Sequence, residues 1–418
     1  MTRQQRMFSK EEWSWIFYDW ANSAYAIFIA TVLPIFALSM ANSAGVDSTT
    51  HTANWGFTSA IACALVALAS PILGTIADYK GVRKRFFIAF FALGVLSTGI
   101  IPIVNEYMAV LVIYALTNFG FAGANVFYDA FLLDVTTPAR MDKVSTWGFG
   151  MGYIGGSTIP FLVTIALNIW GESIGVDGAM TVRIACFLTA AWWAVFTLPL
   201  LVNVRQISGI EREPRMVANS FRRLGEVFRN IKQYKHLVLF LVAYFFYIDG
   251  VGTIIKMATT YGGALGIGST ELMLGLLITQ VVAFPCAILY GKLAGRFSAK
   301  TMILAGICTY FAVCIVGFFM RSATEFYILA GLVGTAQGGI QALSRSYFGK
   351  AIPDKRRAGE FFGFFSVFSK FESVLGTFLM GIVITVTQNI NMGVLPVLIM
   401  FIVGGIIMLR VPSDKALD

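Results

Sequence analysis

The stretch NWGFTSAIACALVALASPILGTIA, from Asn54 to Ala77, contains no charged residue, and it is followed at once by Asp78, Lys80 and Arg83 in DYKGVRKR. About 20 apolar residues cross a bilayer as an α-helix, because a helix satisfies its own backbone hydrogen bonds in lipid. An apolar run of this length that ends in a basic cluster is typical of a membrane-spanning helix whose end lies at the cytoplasmic surface.

The rest of the chain repeats this pattern. It is 57% hydrophobic and 13% charged, with a mean hydropathy of +0.75, whereas soluble domains carry about 25% charged residues. Apolar blocks separated by short polar stretches therefore predict an all-α membrane protein of about twelve transmembrane helices. The predicted spans are 14–40, 54–77, 86–104, 107–133, 144–169, 179–203, 237–260, 271–293, 301–320, 325–347, 359–388 and 393–410.

The positions of the basic residues predict the orientation. If the N-terminus is cytoplasmic, 26 of the 31 Lys and Arg residues lie at cytoplasmic ends, beginning with Arg3, Arg6 and Lys10. Only Arg183 and Arg321 lie near the outer face. This asymmetry follows the positive-inside rule and predicts that both termini are cytoplasmic. The net charge of +9 is then dispersed over loops that face anionic lipid headgroups, so it does not indicate nucleic-acid binding.

Residue types that carry catalysis or bind metals are sparse and scattered. The five cysteines lie in predicted spans without metal-ligand spacing, and the two histidines, His51 and His236, lie in a predicted outer loop and at a predicted cytoplasmic helix end, which does not suggest a catalytic Ser–His–Asp set. The chain also lacks the GxxxxGK[ST] loop that binds nucleotide phosphates. We therefore predict neither an enzyme nor an ATP-driven pump, with no catalytic residues, no metal and no cofactor.

The chain divides into two halves of six predicted spans, at 1–203 and 237–418, joined by a cytoplasmic linker at 204–236. GTIADYKGVRK, which begins at Gly74, has a weaker echo in GKLAGRFSAK, which begins at Gly291, and this indicates an internal duplication. Within the linker, apolar and basic residues alternate at helical spacing over 220–234. That pattern predicts an amphipathic helix on the inner leaflet, and a solvated linker is the alternative.

The loop after the second span resembles the signature of the major facilitator superfamily between its second and third spans. The matching residues are Gly74, Asp78, Gly81, Arg83 and Lys84. Tyr79 stands where that family usually has a basic residue. The resemblance implies two pseudo-symmetric six-helix bundles around a central site, and a cytoplasmic latch in which the acidic residue and the basic cluster hold helix ends together.

Three further segments are similar to the vacuole-effluxer branch of that superfamily. They are YDWANSAY (Tyr18–Tyr25), YIDGVGTI (Tyr247–Ile254) and QALSRSYFGKAIP (Gln341–Pro353). Eukaryotic members of the branch export amino acids from the autophagic vacuole, so the resemblance implies a transporter with a small-molecule, amino-acid-like substrate. The short loops favour a bacterial-type member in the plasma membrane, and we expect a monomer.

Polar residues recur at helical spacing in spans 1, 4, 7 and 10. A charge in the centre of a membrane helix costs roughly 2.5 to 3.5 kcal/mol on insertion scales, so such residues usually mark a pathway. The resemblance implies that these four helices line the central cavity. The predicted substrate and ion pathway consists of Asp19, Asn22, Tyr25, Asn125, Asp129, Asp249, Lys256, Gln337, Gln341 and Arg345.

Several roles remain open at this point. Asp19 is also compatible with a position at the headgroups, Lys256 with snorkelling outward, and Asp129 and Arg345 with a structural gate. Asp249 lies near mid-membrane and is the first candidate for coupling transport to protons. The carboxylate of Asp249 and the ammonium of Lys256, on one face of span 7, suit a zwitterionic substrate. The alternatives are an exporter or flippase of an amphipath such as a lysolipid or drug, and a non-transporting receptor, which would need a larger loop.

Overall fold

The computed structural model describes residues 7–229 and 231–416. Apart from one isolated β-bridge, the regular elements among these residues are helices. The α-helices are α1 (Lys10–Ser43), α2 (Ser48–Ala77), α3 (Arg83–Ile100), α4 (Tyr107–Val135), α5 (Pro138–Met151), α6 (Thr158–Trp170), α7 (Gly178–Asn203), α8 (Met216–Arg229), α9 (Lys235–Ala264), α10 (Ser269–Arg296), α11 (Ala299–Phe319), α12 (Ala323–Ala351), α13 (Ala358–Lys370), α14 (Val374–Thr387) and α15 (Val394–Arg410).

Twelve helical segments in the described part of the chain are long and apolar enough to cross a membrane. This confirms the predicted all-α fold with twelve spans. Span 5 consists of α5, a π-helical segment (Gly152–Ser157) and α6, and span 11 consists of α13 and α14. Each of the other spans contains a single α-helix. Arg3 and Arg6, which contributed to the predicted orientation, lie outside the described residues.

The chain forms two compact units. The first comprises Met1–Thr136, Met151–Leu224 and Lys355–Phe364, and the second comprises Thr137–Gly150, Gly225–Asp354 and Phe365–Asp418. The first part of span 5 thus belongs to the second unit and the rest of that span to the first. For span 11, the first part belongs to the first unit and the rest to the second. The division into halves at 204–236 stays a prediction.

Small residues bring the helices of the first unit close together. A Cβ on Gly120 would overlap the backbone of Gly94, so α3 and α4 are in direct contact there. The π-helical segment lies against α1, because Gly152 faces Ser23 and Gly155 faces the ring of Trp20. Close approach through glycine is how membrane helices gain packing energy without a hydrophobic driving force.

The second unit uses the same means. Gly404 of α15 lies against Tyr247 of α9, and a Cβ on Gly250 would come within 2.8 Å of the Phe401 ring. On the other side of the unit, Gly339 of α12 faces Tyr290 of α10. The first two contacts fix α9 against α15, and a hydrogen bond of 2.7 Å between the Tyr247 and Ser344 hydroxyls joins α9 to α12.

The linker contains α8, somewhat earlier than the predicted 220–234. Its apolar residues Val217 and Phe221 are exposed, as is Arg222, whereas Arg223 is half-buried. The helix therefore has an exposed surface of apolar and basic side chains, as the sequence pattern indicated.

Candidate functional site

Asp78, in the loop after α2, lies against the start of span 11. It is fully buried, and its carboxylate accepts hydrogen bonds from two consecutive backbone N–H groups in the first turn of α13. Gly359 N donates to Oδ1 at 2.7 Å, and Glu360 N donates to Oδ2 at 3.0 Å. An anion at a helix N-terminus satisfies unpaired N–H groups and interacts favourably with the helix dipole. Asp78 thus binds the start of α13 to the end of α2.

Arg83 completes this cluster. Its guanidinium donates to Asp78 at 3.1 Å and to Asp134 of α4 at 2.6 Å, and all three side chains are buried. Asp134 also accepts the backbone N–H groups of Ile207 and Ser208, at 3.1 and 2.8 Å. The buried charges are therefore paired and hydrogen-bonded, which is the condition under which charges remain buried.

Close backbone contact makes the cluster possible. A Cβ on Gly74 would overlap the carbonyl oxygen of Gly359, so only glycine allows α2 and α13 to approach this closely. Gly81 has a φ of 75°, in the left-handed region that glycine adopts without strain. Its N–H donates to the Gln206 side chain at 3.0 Å.

The first residues of the linker are bound to the same loop. Ile210 N donates to the carbonyl of Asp78 at 2.8 Å, and Lys80 N donates to the carbonyl of Ile210 at 3.0 Å, which forms the one β-bridge among the described residues. Lys84 donates to the carbonyl of Val204 at 2.8 Å. Arg223 lies over the ring of Tyr79, 5.1 Å from its centroid. Tyr79 stands where the family usually has a basic residue, and here Arg223 of the linker brings a basic group to this position.

Burial dominates the electrostatics of Asp78. Removal from water raises the pKa of this carboxyl group from 3.8 to about 7, although Arg83 and the two N–H groups pull it down. Glu360 adds to the increase. Its own carboxylate is paired with Arg357, whose guanidinium donates to both oxygens at 2.7 and 2.9 Å.

The polar residues predicted in spans 1 and 4 are partly brought together. Asn22 donates to Asn125 at 3.0 Å, which joins α1 to α4 through two side chains of the predicted pathway. Asp19 and Asp129 both lie near enough to Tyr18 to act on its hydroxyl electrostatically. Tyr25, in contrast, is fully buried between aromatic rings, with Phe121 and Trp193 at 4.8 and 5.2 Å.

Asp249 lies at the break in span 11. Its carboxylate accepts the backbone N–H groups of Leu375 at 3.0 Å and Gly376 at 2.6 Å, in the first turn of α14, and the hydroxyl of Thr253 at 3.3 Å. It is fully buried. Between α13 and α14 the chain makes a turn that ends at Ser373, with a φ of 69°. A non-glycine residue in this region costs roughly 1 kcal/mol, so the surrounding contacts impose the break.

Glu372 lies within this turn. Its side chain packs over Gly252 of α9, where a Cβ would overlap the Glu372 Cγ. The Gln341 side chain forms a hydrogen bond with it, and Lys370 and Asp249 act on it electrostatically. The predicted pathway residues Asp249 and Gln341 are thus brought to one place, together with two ionisable residues of span 11.

Comparison with known proteins agrees with this architecture. Residues 8–418 match the vacuole effluxer Atg22-like family. The chain is also 49% identical over 418 residues to the MFS-type transporter YxiO of Bacillus subtilis, covering 99% of this chain and 97% of that protein. The chain belongs to the vacuole effluxer Atg22-like family. Autophagy-related protein 22 of Yarrowia lipolytica is 26% identical over 280 residues, which are 60% of this chain and 46% of that protein.

Solved structures show the same fold at low identity. The transporter FucP in the outward conformation aligns with a TM-score of 0.71 and 13% identity, covering 96% of this chain and 98% of that one. The human organic anion transporter MFSD10 aligns with a TM-score of 0.69 and 13% identity, covering 94% and 97%. This Atg22-like protein is therefore a transporter of the major facilitator type with a bacterial relative.

The other predicted residues of spans 7 and 10 in this Atg22-like chain are Lys256, Gln337 and Arg345. Lys256 is exposed, and no ion pair joins it to Asp249 among the described residues. Gln337 is buried in α12. Arg345 donates to the hydroxyl of Ser145 at 3.0 Å and to its carbonyl at 3.3 Å, with its guanidinium 4.4 Å from the Phe149 centroid. These contacts bind α12 to the start of span 5.

The structure also adds residues that the pattern analysis left out. Lys350 pairs with Asp142 at 2.6 Å and with Asp414 at 2.9 Å, so a second buried ion cluster joins α5, α12 and the segment after α15. Glu372 is the other addition. A charged residue inside an apolar span was the available signal for it, but its helix spacing alone did not show which face it occupies.

Proposed function

We propose that this chain is a secondary active transporter that moves a small polar or zwitterionic, amino-acid-like solute by alternating access, coupled to protons. The observation that supports this most strongly is the break in span 11, with Asp249, Glu372, Lys370 and Gln341 around it. Discontinuous helices at membrane depth recur at the binding sites of secondary transporters, where free helix ends and ionisable residues meet the substrate or the coupling ion.

The chemistry of this cluster favours a zwitterionic solute. Glu372 can accept hydrogen bonds from a substrate ammonium, and Lys370 can donate to a substrate carboxylate. Gln341 offers neutral hydrogen bonds beside them. Half-buried charges of both signs favour a ligand that carries both signs, because each charge then gains a partner.

The latch supplies the conformational element. In this proposal, Asp78 holds the predicted cytoplasmic ends of spans 2 and 11 together in one state of the cycle. Opening that end breaks its hydrogen bonds to Gly359 and Glu360. A ligand or proton that favours one state shifts this equilibrium by its difference in affinity between the two states.

We further propose that the protein is a monomer in a bacterial plasma membrane, with both termini and the linker cytoplasmic. The distribution of basic residues supports this orientation. Labelling of Gly225→Cys from outside intact cells, without permeabilisation, would disprove it.

Transport measurements in liposomes test the function. The purified protein is reconstituted, and accumulation of a mixture of radiolabelled amino acids is measured with and without an imposed pH gradient, beside panels of sugars and lysolipids. We expect accumulation of amino acids that is driven by the pH gradient. Accumulation of lysolipids alone would indicate the amphipath exporter instead, and no transport of any panel would contradict the proposal.

A further inference from the structure

The two carboxylates at the span 11 break have different partners. Asp249 accepts the backbone N–H groups of Leu375 and Gly376 and the Thr253 hydroxyl, so each of these groups donates to it. Such charge-assisted bonds to a helix start match an ionised carboxylate. Asp249 is therefore bound into the backbone of α14.

Glu372 has a different setting. One neutral side chain, Gln341, forms a hydrogen bond with it, and the charged groups that act on it are Lys370 from its own span and Asp249 from α9. On α12, Arg345 lies one turn beyond Gln341 and is held by Ser145. Lys256, further along α9, is exposed. Glu372 is thus a carboxylate beside a second carboxylate, with few donors of its own.

The space for Glu372 is built into α9. A Cβ on Gly252 would overlap the Glu372 side chain, and a Cβ on Gly376 would overlap the Thr253 hydroxyl and approach Asp249 to 2.8 Å. Both glycines therefore serve the same arrangement: one admits Glu372, and the other admits the bond between Asp249 and α14. Asp249 and Gly252 both belong to the segment YIDGVGTI. The contacts of these two residues explain why an Asp and a Gly stand at these positions of the segment.

We propose that Glu372 takes up and releases the coupled proton, and that Asp249 is a positioning residue that fixes the start of α14 and with it the place of Glu372. Two adjacent carboxylates in an enclosed setting repel each other, and a proton on one of them relieves the repulsion. Asp249 is committed to three donors, so the proton goes to Glu372. The step is the uptake of one proton by its carboxylate. This inference rests on the proton-linked transport proposed above.

Infrared difference spectroscopy tests it without a substrate. Spectra at acidic and alkaline pH are subtracted, and the band of a protonated carboxyl group is followed in proteins that also carry Asp78→Asn, because burial raises the pKa of Asp78 to about 7 and its own band would overlap. We expect the band in the parent, its loss in Glu372→Gln and its retention in Asp249→Asn. Glu372→Asp should restore a band at a shifted position, which separates loss of the carboxyl group from misfolding. Loss of the band in Asp249→Asn with retention in Glu372→Gln would overturn the proposal, as would a parent without a band.

Liposome transport supplies the second readout. With the radiolabelled amino-acid mixture, Glu372→Gln should lose at least tenfold in accumulation driven by a pH gradient, and the exchange that remains should not vary with pH. Gly376→Ala disturbs the start of α14 without removing a carboxylate, so it should match Asp249→Asn in shifting the pH profile without abolishing it. Glu172→Gln, at an exposed outer position, is the control. Accumulation by Glu372→Gln at the parent level overturns the inference. Failure of the parent itself to respond to pH contradicts the proposed proton coupling, and the infrared result then decides the assignment of Glu372 separately.

Discussion

Span 11 is held by an aspartate at each of its two helix starts. Asp78 accepts the N–H groups of Gly359 and Glu360 at the start of α13, and Asp249 accepts those of Leu375 and Gly376 at the start of α14. In each place one carboxylate satisfies two consecutive N–H groups that a helix start leaves unpaired. The two aspartates therefore cap their helices in the same way.

The neighbours of the two aspartates differ. Asp78 is paired with Arg83, which is also paired with Asp134, so one guanidinium donates directly to both carboxylates of the latch. Asp249 has the Thr253 hydroxyl as its third partner, and a second carboxylate, Glu372, lies close by. The first site is suited to holding two helices together. At the second, the hydrogen-bond donors to Asp249 are uncharged, and a proton or a cationic group can relieve the repulsion between its two carboxylates.

The largest expected effect is at the latch. Arg83→Ala leaves the carboxylates of Asp78 and Asp134 buried without their cation, and breaking a buried pair in this way typically costs about 3–5 kcal/mol. We expect a matching loss in the free energy of unfolding in detergent. The control is Lys80→Ala, because Lys80 forms an exposed pair with Glu211 and should cost less than about 1 kcal/mol. Equal losses in the two variants would mean that the buried cluster does not stabilise the fold.

Gly74 and Gly291 provide the second test, since they are the corresponding glycines of the internal echo. A Cβ on Gly74 would overlap the backbone of Gly359, whereas a Cβ on Gly291 would overlap the Thr146 side chain. A side chain can rotate away and a backbone cannot, so Gly74→Ala should cost about 1–3 kcal/mol and Gly291→Ala less. Spin labels at Arg85 and Lys355, with the five native cysteines replaced, should report a longer distance in Gly74→Ala. An unchanged distance would show that the latch tolerates separation of these helices.

Matched amide substitutions compare the two aspartates directly. Each oxygen of Asp249 accepts one backbone N–H group, and an amide would present its NH2 to one of these donors, so Asp249→Asn should lower the free energy of unfolding by about 1–3 kcal/mol. Asp78→Asn also removes the charge that Arg83 binds, and hydrogen bonds to charged groups contribute about 1.5–3 kcal/mol. Unfolding of both variants under one set of conditions measures the difference. If Asp249→Asn were the more damaging, the charge at that site would be structural.

The sequence was sufficient for the parts of this molecule that depend on local pattern. Apolar length and composition predicted the twelve spans. The latch around Asp78 was implied by the family resemblance of the motif from Gly74 to Lys84, and its role stays a prediction. Helical spacing also placed Asp249 and Gln341 in one list of candidates. The sequence did not indicate that the linker residues Gln206 and Ile210 are bound to the latch loop, because those hydrogen bonds join segments more than a hundred residues apart.

The break in span 11 was not predictable for a related reason. Residues 371–373 contain neither Gly nor Pro, the usual signals for a helix break. The left-handed conformation of Ser373 depends on contacts with Asp249 and on the space above Gly252, both of which lie in another span. A tertiary contact that overrides a local helix preference leaves no mark in a periodicity analysis.

The pH response of the latch is the smallest expected effect. Burial raises the pKa of Asp78 to about 7, from 3.8. A carboxyl group with a raised pKa binds its proton more tightly when buried, so acidification through pH 7 favours the closed latch, and this advantage is lost as the pH rises through 7. From these two pKa values we expect a change of about tenfold in the ratio of closed to open latch between pH 8 and pH 6, or about 1.4 kcal/mol.

The charged groups that face Asp78 are Arg83 and Glu360, and Glu360 is already paired with Arg357. The spin-label distances between Arg85 and Lys355 measure the populations at each pH, and Asp78→Asn should make them independent of pH. A pH response that persists in Asp78→Asn would assign the titration to another group, and the latch would then differ from the Asp249 site in charge pairing but not in proton binding.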